Sequence, residues 1–406
     1  MRAVRALLLI VLAGVAAVLP SAAAAATRTG EPLASRLAKA LRVPHVAPTR
    51  SAALAVDLQT EDVVFRQRAT RSLAPASTEK LPLTYVLLTA LGPEFRLETS
   101  AVARGTLTGE TLRGDLYVVG GGDPSLSRAD LASLARLVRD AGIRRVTGRL
   151  FGDESLFDTR RTADGWRPSF YINECPPLSA LVVERARYGG HTTAAPALAA
   201  ALLFRDALAA AGVTTGGAVA TGTAPSGAQA VAAVESPPLR KLVATMDIDS
   251  DNFSAEMLLK QLGLVQSPRG SSAAGAQVVM RQLGADGIPL DGVRFVDGSG
   301  LSLLDRLTVD ALVAILHALW DDPTLRPALL HALPVAGRSG TLRDRMRAAP
   351  VRGNVRAKTG TTRAASALAG FVKSRYAFAI IQNGAPISSW WARRAQDRFA
   401  AVLAAS

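Results

Sequence analysis

The stretch of residues 74–81, Ala-Pro-Ala-Ser-Thr-Glu-Lys-Leu, constrains this chain more than any other. The run of residues 84–91 that follows is apolar enough to be a buried helix, and Gly92-Pro93 ends it. Ser77 and Lys80 are three residues apart, so they share one face at the start of that helix. A partly desolvated lysine can lose its charge and take the proton of a serine hydroxyl. The spacing therefore predicts a serine nucleophile with a lysine base.

Two further motifs strengthen this interpretation, because Ser-x-x-Lys alone is common and is usually a capping serine beside a solvated lysine. Ser250-Asp251-Asn252 and Lys358-Thr359-Gly360 follow in order along the chain. Alone, the second motif would be an ordinary helix cap and the third an ordinary strand edge. Together and in this order, the three motifs resemble the set found in penicillin-binding proteins and β-lactamases. The combination predicts a catalytic site.

Residues 1–26 have the pattern of a secretory signal peptide. Arg2 and Arg5 precede an apolar run, Pro20 interrupts it, and small residues lead to a predicted cleavage point near residues 26–27. The alternative is an uncleaved anchor, although Pro20 leaves the apolar helix shorter than the ~20 residues that a membrane span needs. The sequence predicts an exported, extracytoplasmic protein in the periplasm or cell-wall space of a bacterium.

Composition limits the partners and cofactors to be expected. The formal net charge of +14 favours anionic surroundings. For an exported chain, peripheral contact with anionic cell wall or membrane fits better than nucleic acid, and a basic surface without a partner fits equally well. One cysteine, Cys175, cannot form an internal disulfide and is expected to be a packed side chain. The histidines lie far apart in the sequence, so we expect no metal and no cofactor.

The length of 406 residues suggests two domains or one domain with a large insertion. Alternating segments at residues 51–70 and 358–382 predict one sheet with strands from both ends of the chain. Glycine-punctuated strands follow Pro93, and Asp130 is expected to cap a helix there. The predicted organisation is a signal peptide at residues 1–26, a discontinuous catalytic domain at 27–96 and 239–406, and an inserted α+β domain at 97–238.

With these motifs in view, the chain resembles the class C low-molecular-mass penicillin-binding proteins, D-alanyl-D-alanine carboxypeptidases that also act as endopeptidases. The resemblance covers nearly all of the mature chain and extends to residues 120–126, 297–302 and 339–342. It implies an α/β (α+β) penicillin-binding/β-lactamase-like serine transpeptidase fold, with a mixed antiparallel sheet flanked by helices. The chain departs from the family in two respects. The family's further small domain is expected to be absent, and Pro82 lies inside the catalytic helix, where proline normally costs about 3 kcal/mol.

The resemblance also implies catalytic roles. Ser77 would attack the carbonyl between two terminal D-alanines, and Lys80 would take its proton. Ser250 would relay a proton to the departing amine, with Lys358 tuning the electrostatics. The implied partners are peptidoglycan stem peptides that end in D-Ala-D-Ala, with β-lactam antibiotics as inhibitors.

Further residues of the motifs are implied to bind the substrate. Asn252 would hold its amide, and Thr359, Gly360 and Thr361 would form the pocket for the terminal carboxylate. The backbone N–H groups of Ser77 and Thr361 would form the oxyanion hole. Asp251 is expected to be a structural or capping residue.

Other functions fit part of the pattern. A class A β-lactamase deacylates with a glutamate that follows the second motif, and after Asn252 this chain has only Glu256, with no glutamate from residue 257 to the end. The alternatives are a serine β-lactamase-like hydrolase and a non-catalytic protein that binds β-lactams or peptidoglycan. A basic secreted structural protein would not require the three motifs together.

Overall fold

The computed structural model describes residues 31–406. The predicted signal peptide and its cleavage point lie outside the described residues. Within residues 31–406, no helix combines the length and the hydrophobicity that a membrane crossing requires.

The helices and strands follow the predicted alternation closely and add elements that the sequence pattern did not reveal. The α-helices of the described region are α1 (Leu33–Leu41), α2 (Lys80–Ala90), α3 (Arg128–Asp140), α4 (Pro196–Ala210), α5 (Leu239–Ile248), α6 (Asn252–Gly263), α7 (Ser272–Ala285), α8 (Val309–Asp321), α9 (Arg326–Ala332) and α10 (Ser389–Ala404). The strands are β1 (Ser51–Asp57), β2 (Val63–Gln67), β3 (Glu98–Thr108), β4 (Thr111–Val119), β5 (Arg145–Val146), β6 (Leu150–Asp153), β7 (Arg187–Tyr188), β8 (His191–Thr192), β9 (Thr214–Thr215), β10 (Val219–Thr221), β11 (Gln229–Glu235), β12 (Val355–Thr361), β13 (Ala365–Val372) and β14 (Tyr376–Asn383).

The central sheet joins the two ends of the chain, as the sequence predicted. Its strand order is β12-β13-β14-β1-β2, and every neighbouring pair is antiparallel. Every residue of β13 is buried because helices cover both faces. Ile380 of β14 belongs to a core shared with Phe399 of α10. Its neighbour Ile381 belongs to the opposite core, which includes Leu83 of α2 and Leu316 of α8.

Residues 98–235 form a second, mixed sheet. Its strand order is β10-β6-β4-β3-β11, with β5 and β9 paired alongside, and α3 and α4 pack on it through a separate hydrophobic core. Within the described region, these residues add no strand to the central sheet. A two-stranded hairpin, β7–β8, is the local structure at residues 187–192. The domain boundaries and the absence of the family's further small domain stay predictions.

Several local predictions need correction or are resolved. Ser127, not Asp130, is the N-cap of α3. Asp130 is the third helical residue and completes a capping box with it.

Pro82 is the third residue of α2. The first four backbone N–H groups of a helix have no partner within it, so the missing N–H of this proline removes no helical hydrogen bond. Cys175 is fully buried, as expected. The sequence patterns at residues 146–151 and 213–223 each predict a single strand, whereas the structure has two short strands in each place.

Candidate active site

The turn that leads into α2 presents Ser77 beside β12. Ala76 has a φ of 49°, a left-handed conformation that is strained for a residue with a side chain. Two glycines allow the surrounding chain to approach this turn closely. A Cβ atom on Gly300 would lie 2.0 Å from the Ala76 carbonyl oxygen, and one on Gly360 would lie 3.1 Å from the Ser77 nitrogen. The nucleophile predicted from sequence is therefore clamped between a loop and a strand.

Lys80 is fully buried and connects three segments of the chain. Its Nζ donates to Ser77 Oγ at 3.2 Å, to Asn252 Oδ1 at 2.9 Å and to the Ser299 carbonyl at 2.8 Å. Burial lowers the pKa of the Lys80 ammonium, and the nearby carboxylate of Asp297 acts in the opposite direction. A lysine with a lowered pKa in contact with a serine hydroxyl has the geometry of a general base.

Ser250 and Lys358 form a second contact of the same kind. Ser250 has a φ of 57°, and Lys358 Nζ donates to its Oγ at 2.8 Å. Burial lowers the pKa of Lys358 to about 7. The charge of Lys80 adds to this effect, and that of Asp247 opposes it. Two buried lysines thus share one site, which disfavours the state in which both are charged.

The lowered pKa of Lys358 predicts a pH-dependent stability. Between its folded-state pKa of about 7 and the ordinary value of 10.5, the unfolded chain binds more protons, so the free energy of unfolding rises with pH. The slope from this group is at most ~1.4 kcal/mol per pH unit. We expect Lys358→Met, which removes the charge and keeps the volume, to show a smaller rise in urea unfolding, because the lowered pKa of Lys80 still acts in this direction. Parallel stability curves for the two proteins across that pH window would show that another group is responsible.

The other two residues of the second motif, Asp251 and Asn252, have different structural positions. Asp251 is the N-cap of α6 and accepts from the backbone N–H groups of Phe253 and Ser254, which confirms its predicted capping role. Asn252 is the first residue of α6, and its amide nitrogen donates to the Glu174 carbonyl at 3.2 Å. Its amide oxygen is the group that contacts Lys80.

The third motif lies on β12, with a partner for each threonine. Thr359 Oγ1 donates to Thr341 Oγ1 at 2.8 Å. Arg393 of α10 donates to Thr361 Oγ1 at 3.3 Å. The hydroxyls predicted to bind a carboxylate are thus joined by a third hydroxyl and a guanidinium.

A cleft of about 460 Å³ adjoins the Ser77 turn. Its lining includes Ala76, Gly300 and Thr361, and the chain between β6 and β7 contributes Arg167 and Phe170. This space can hold the acyl part of a peptide next to the serine.

Comparison with known proteins identifies the family. The model described as the D-Ala-D-Ala carboxypeptidase 3 (S13) family matches residues 33–195 and 190–406. The chain belongs to this family. A D-alanyl-D-alanine carboxypeptidase of Actinomadura is 30% identical over 431 residues, covering 85% of this chain and 79% of the relative. The carboxypeptidase DacB of Mycolicibacterium smegmatis is 34% identical over 421 residues, covering 95% and 86%.

The solved structures confirm the predicted fold class. Penicillin-binding protein 4 from Haemophilus influenzae superposes with a TM-score of 0.79 at 22% identity, covering 91% of this chain and 98% of that one. A structure of the same protein in complex with a β-lactam gives a TM-score of 0.71. The S13 family match and the carboxypeptidase relatives confirm the resemblance to class C low-molecular-mass penicillin-binding proteins.

In this S13 chain, hydrogen bonds link the predicted residues in two clusters: Ser77, Lys80 and Asn252 in one, Ser250 and Lys358 in the other. Thr359 and Thr361 lie on the same strand as Lys358. The chemical roles of these residues stay predictions.

Sequence reasoning missed four contributors to the site. The Ser299 carbonyl accepts from Lys80, and the Glu256 carboxylate accepts from the Ser299 backbone N–H at 2.9 Å, which holds that turn in place. Thr341 lies in a stretch covered by the family resemblance, so it could have been found. Ser299 also lies in a covered stretch, residues 297–302, but its contact uses a backbone carbonyl, which no residue type marks. Arg393 had no signal, because it belongs to no motif.

Proposed function

We propose that this chain is an exported serine-type D-alanyl-D-alanine carboxypeptidase that also acts as an endopeptidase on peptidoglycan stem peptides. The observation that carries the proposal is the pair of buried lysine contacts, Lys80 to Ser77 at 3.2 Å and Lys358 to Ser250 at 2.8 Å. Membership of the S13 family and the carboxypeptidase names of the relatives support it. The β-lactam complex of a structural neighbour supports acylation by these antibiotics.

In the proposed reaction, Ser77 Oγ attacks the carbonyl carbon between two D-alanines as its proton passes to Lys80. The N–H groups of Ser77 and Thr361 stabilise the oxyanion, and such donors are commonly worth about 3–4 kcal/mol each. The C–N bond then breaks, and the departing amine takes a proton through Ser250. Water attacks the resulting serine ester, which releases the shortened peptide and restores the hydroxyl of Ser77.

Recognition of the terminal carboxylate distinguishes a carboxypeptidase from a general esterase or amidase. A cation with nearby hydroxyl donors is the physical means of binding that group. Lys358, Thr359 and Thr361 supply these groups in the proposal, and Thr341 and Arg393 extend them.

The environment of Glu256 argues against a class A β-lactamase mechanism. Burial and the charge of Asp297 raise the pKa of Glu256 to about 8. Its carboxylate is engaged by the backbone N–H groups of Gly298 and Ser299 at 3.0 and 2.9 Å. Because Glu256 is fully buried and one of its oxygens already accepts two backbone hydrogen bonds, it is poorly placed to activate water. Slow deacylation of β-lactams is therefore expected.

Export remains part of the proposal on sequence grounds. The pattern of residues 1–26 and the net charge of +14 support a protein that works among the anionic polymers and lipids outside the cytoplasm.

Replacing Thr359 and Thr361 with valine tests the carboxylate pocket. Valine keeps the volume and the strand preference but removes both hydroxyls. Two lost hydrogen bonds to a charged group should cost roughly 1.5–3 kcal/mol each. We therefore expect release of D-alanine from an acyl-D-Ala-D-Ala peptide to fall well over tenfold.

An amidated peptide provides the control for this experiment. The wild type should cleave it poorly, and the double variant should cleave it no worse. Thr106→Val, on the exposed part of β3, should behave as the wild type with both peptides. Equal cleavage of amidated and free-acid peptides by the wild type would favour a general esterase or amidase instead.

A further inference from the structure

A second groove, of about 730 Å³, lies between α10 and the loop of residues 344–351. Each of its walls is connected to a threonine of the predicted carboxylate pocket, Thr361 or Thr359. On the α10 wall, Arg393 lines the groove and contacts Thr361. The other wall continues from Thr341, which contacts Thr359. Through Arg393, the groove therefore lies next to the residues that would hold the carboxylate of the leaving group.

The groove is strongly basic, and we call it the arginine groove. Its arginines are Arg345, Arg347, Arg393, Arg394 and Arg398. Two aspartates, Asp344 and Asp397, also line the groove, and Arg345 is paired with Asp397 at 2.6 Å. Within residues 31–406, no carboxylate lies within ion-pair distance of the other four. Trp390, 60% exposed, lies among the lining residues and offers an apolar surface beside these charges. The groove thus has charge available for an anionic ligand.

We propose that the arginine groove binds the leaving-side stem peptide when the enzyme cuts a cross-link, an inference that rests on the proposed function. In the carboxypeptidase reaction the leaving group is free D-alanine, which ends at the carboxylate pocket. In cross-link cleavage the same C–N bond breaks and Ser77 forms the same ester. The amine that takes the proton then belongs to a second stem peptide with further carboxylates.

The chemistry of the groove matches that second peptide. Guanidinium groups bind carboxylates through two parallel hydrogen bonds, and they keep their charge at any pH the enzyme meets. A groove with two walls also suits an extended peptide better than a flat surface would. The arginine groove gives the cross-linked substrate contacts that a single stem peptide ending in D-Ala-D-Ala cannot make.

Charge reversal on the α10 wall tests the proposal. The full chain carrying Arg394→Glu and Arg398→Glu is compared with the wild type on two substrates, a cross-linked stem-peptide dimer and an acyl-D-Ala-D-Ala peptide. We expect the ratio of kcat/KM for the dimer to that for the single peptide to fall at least tenfold. The ratio cancels any loss of folded enzyme, because the same enzyme population acts on both substrates. Arg139→Glu, on the exposed face of α3, is the matched control and should keep the wild-type ratio.

A modified substrate makes the test specific for charge. In this second dimer, the carboxylates of the leaving-side stem peptide that lie beyond the cleaved bond are amidated. The wild type should cut it slowly, and the double variant should cut it no more slowly than the wild type does. Unchanged ratios, or equal losses from amidation in both enzymes, would overturn the groove assignment. In that case, D-alanine release and benzylpenicillin acylation by the wild type would still uphold the proposed function. A wild type without either activity would reject both.

Discussion

Alanine in place of Ser77 should leave the protein unable to form a covalent adduct with benzylpenicillin. The Ser77 hydroxyl lies 3.2 Å from the buried Lys80 amine, and an uncharged amine there can take its proton. We expect D-alanine release to fall by about 10³-fold or more, because the ester of the proposed reaction forms on this hydroxyl. Intact mass after mixing with benzylpenicillin measures the adduct. Ser77 is only half-buried, so its loss should cost little stability.

The control for this experiment is Ser72→Ala, which removes an exposed hydroxyl a few residues earlier in the chain. That variant should acylate as the wild type does. A penicilloyl adduct on the Ser77→Ala protein, or none on the wild type, would show that the nucleophile lies elsewhere.

Replacement of Lys80 should have an effect of similar size through a different cause. Lys80→Met fills the buried volume without a base, so we expect acylation by benzylpenicillin to slow by about 10²–10⁴-fold, the usual contribution of general base catalysis. The expected readout is a slow increase in the acylated mass over time, from a protein that still unfolds cooperatively.

Lys80→Arg separates proton transfer from simple electrostatics. Arginine keeps the positive charge but cannot be deprotonated in a protein. If Lys80 acts as the base, this variant should be as slow as Lys80→Met. Recovery of acylation by Lys80→Arg would mean that the charge of Lys80 matters and that another group takes the proton.

How far the sequence predicts this site depends on the range of each interaction. The Ser77–Lys80 pair follows from helical spacing over three residues, and the cap at Asp251 follows from contacts within its own first turn. Such local geometry is set by neighbouring residues, so their types suffice to predict it. The capping box of α3 shows the limit, because Ser127 and Asp130 are both good caps and only the backbone geometry selects Ser127.

Long-range contacts decided the rest. Lys80 meets the Ser299 carbonyl across 219 positions of sequence, and every residue type has a carbonyl to offer. Arg393 is one of many arginines, and its place beside Thr361 follows from the packing of α10 on the central sheet. A residue-type pattern contains no information about such contacts.

The sequence by itself determined the family, the order of the motifs and the central sheet, because alternation and helical spacing are local properties that side-chain chemistry dictates. Only the tertiary structure decided the electrostatics. The pKa of Lys358 is about 7 because folding buries it near a second lysine. The arginine groove exists because α10 and the loop of residues 344–351 face each other across a cleft. Both features arise from packing, which removes groups from water and brings distant charges together. The packed segments lie far apart in the chain, so no periodic pattern in the sequence predicts their contact.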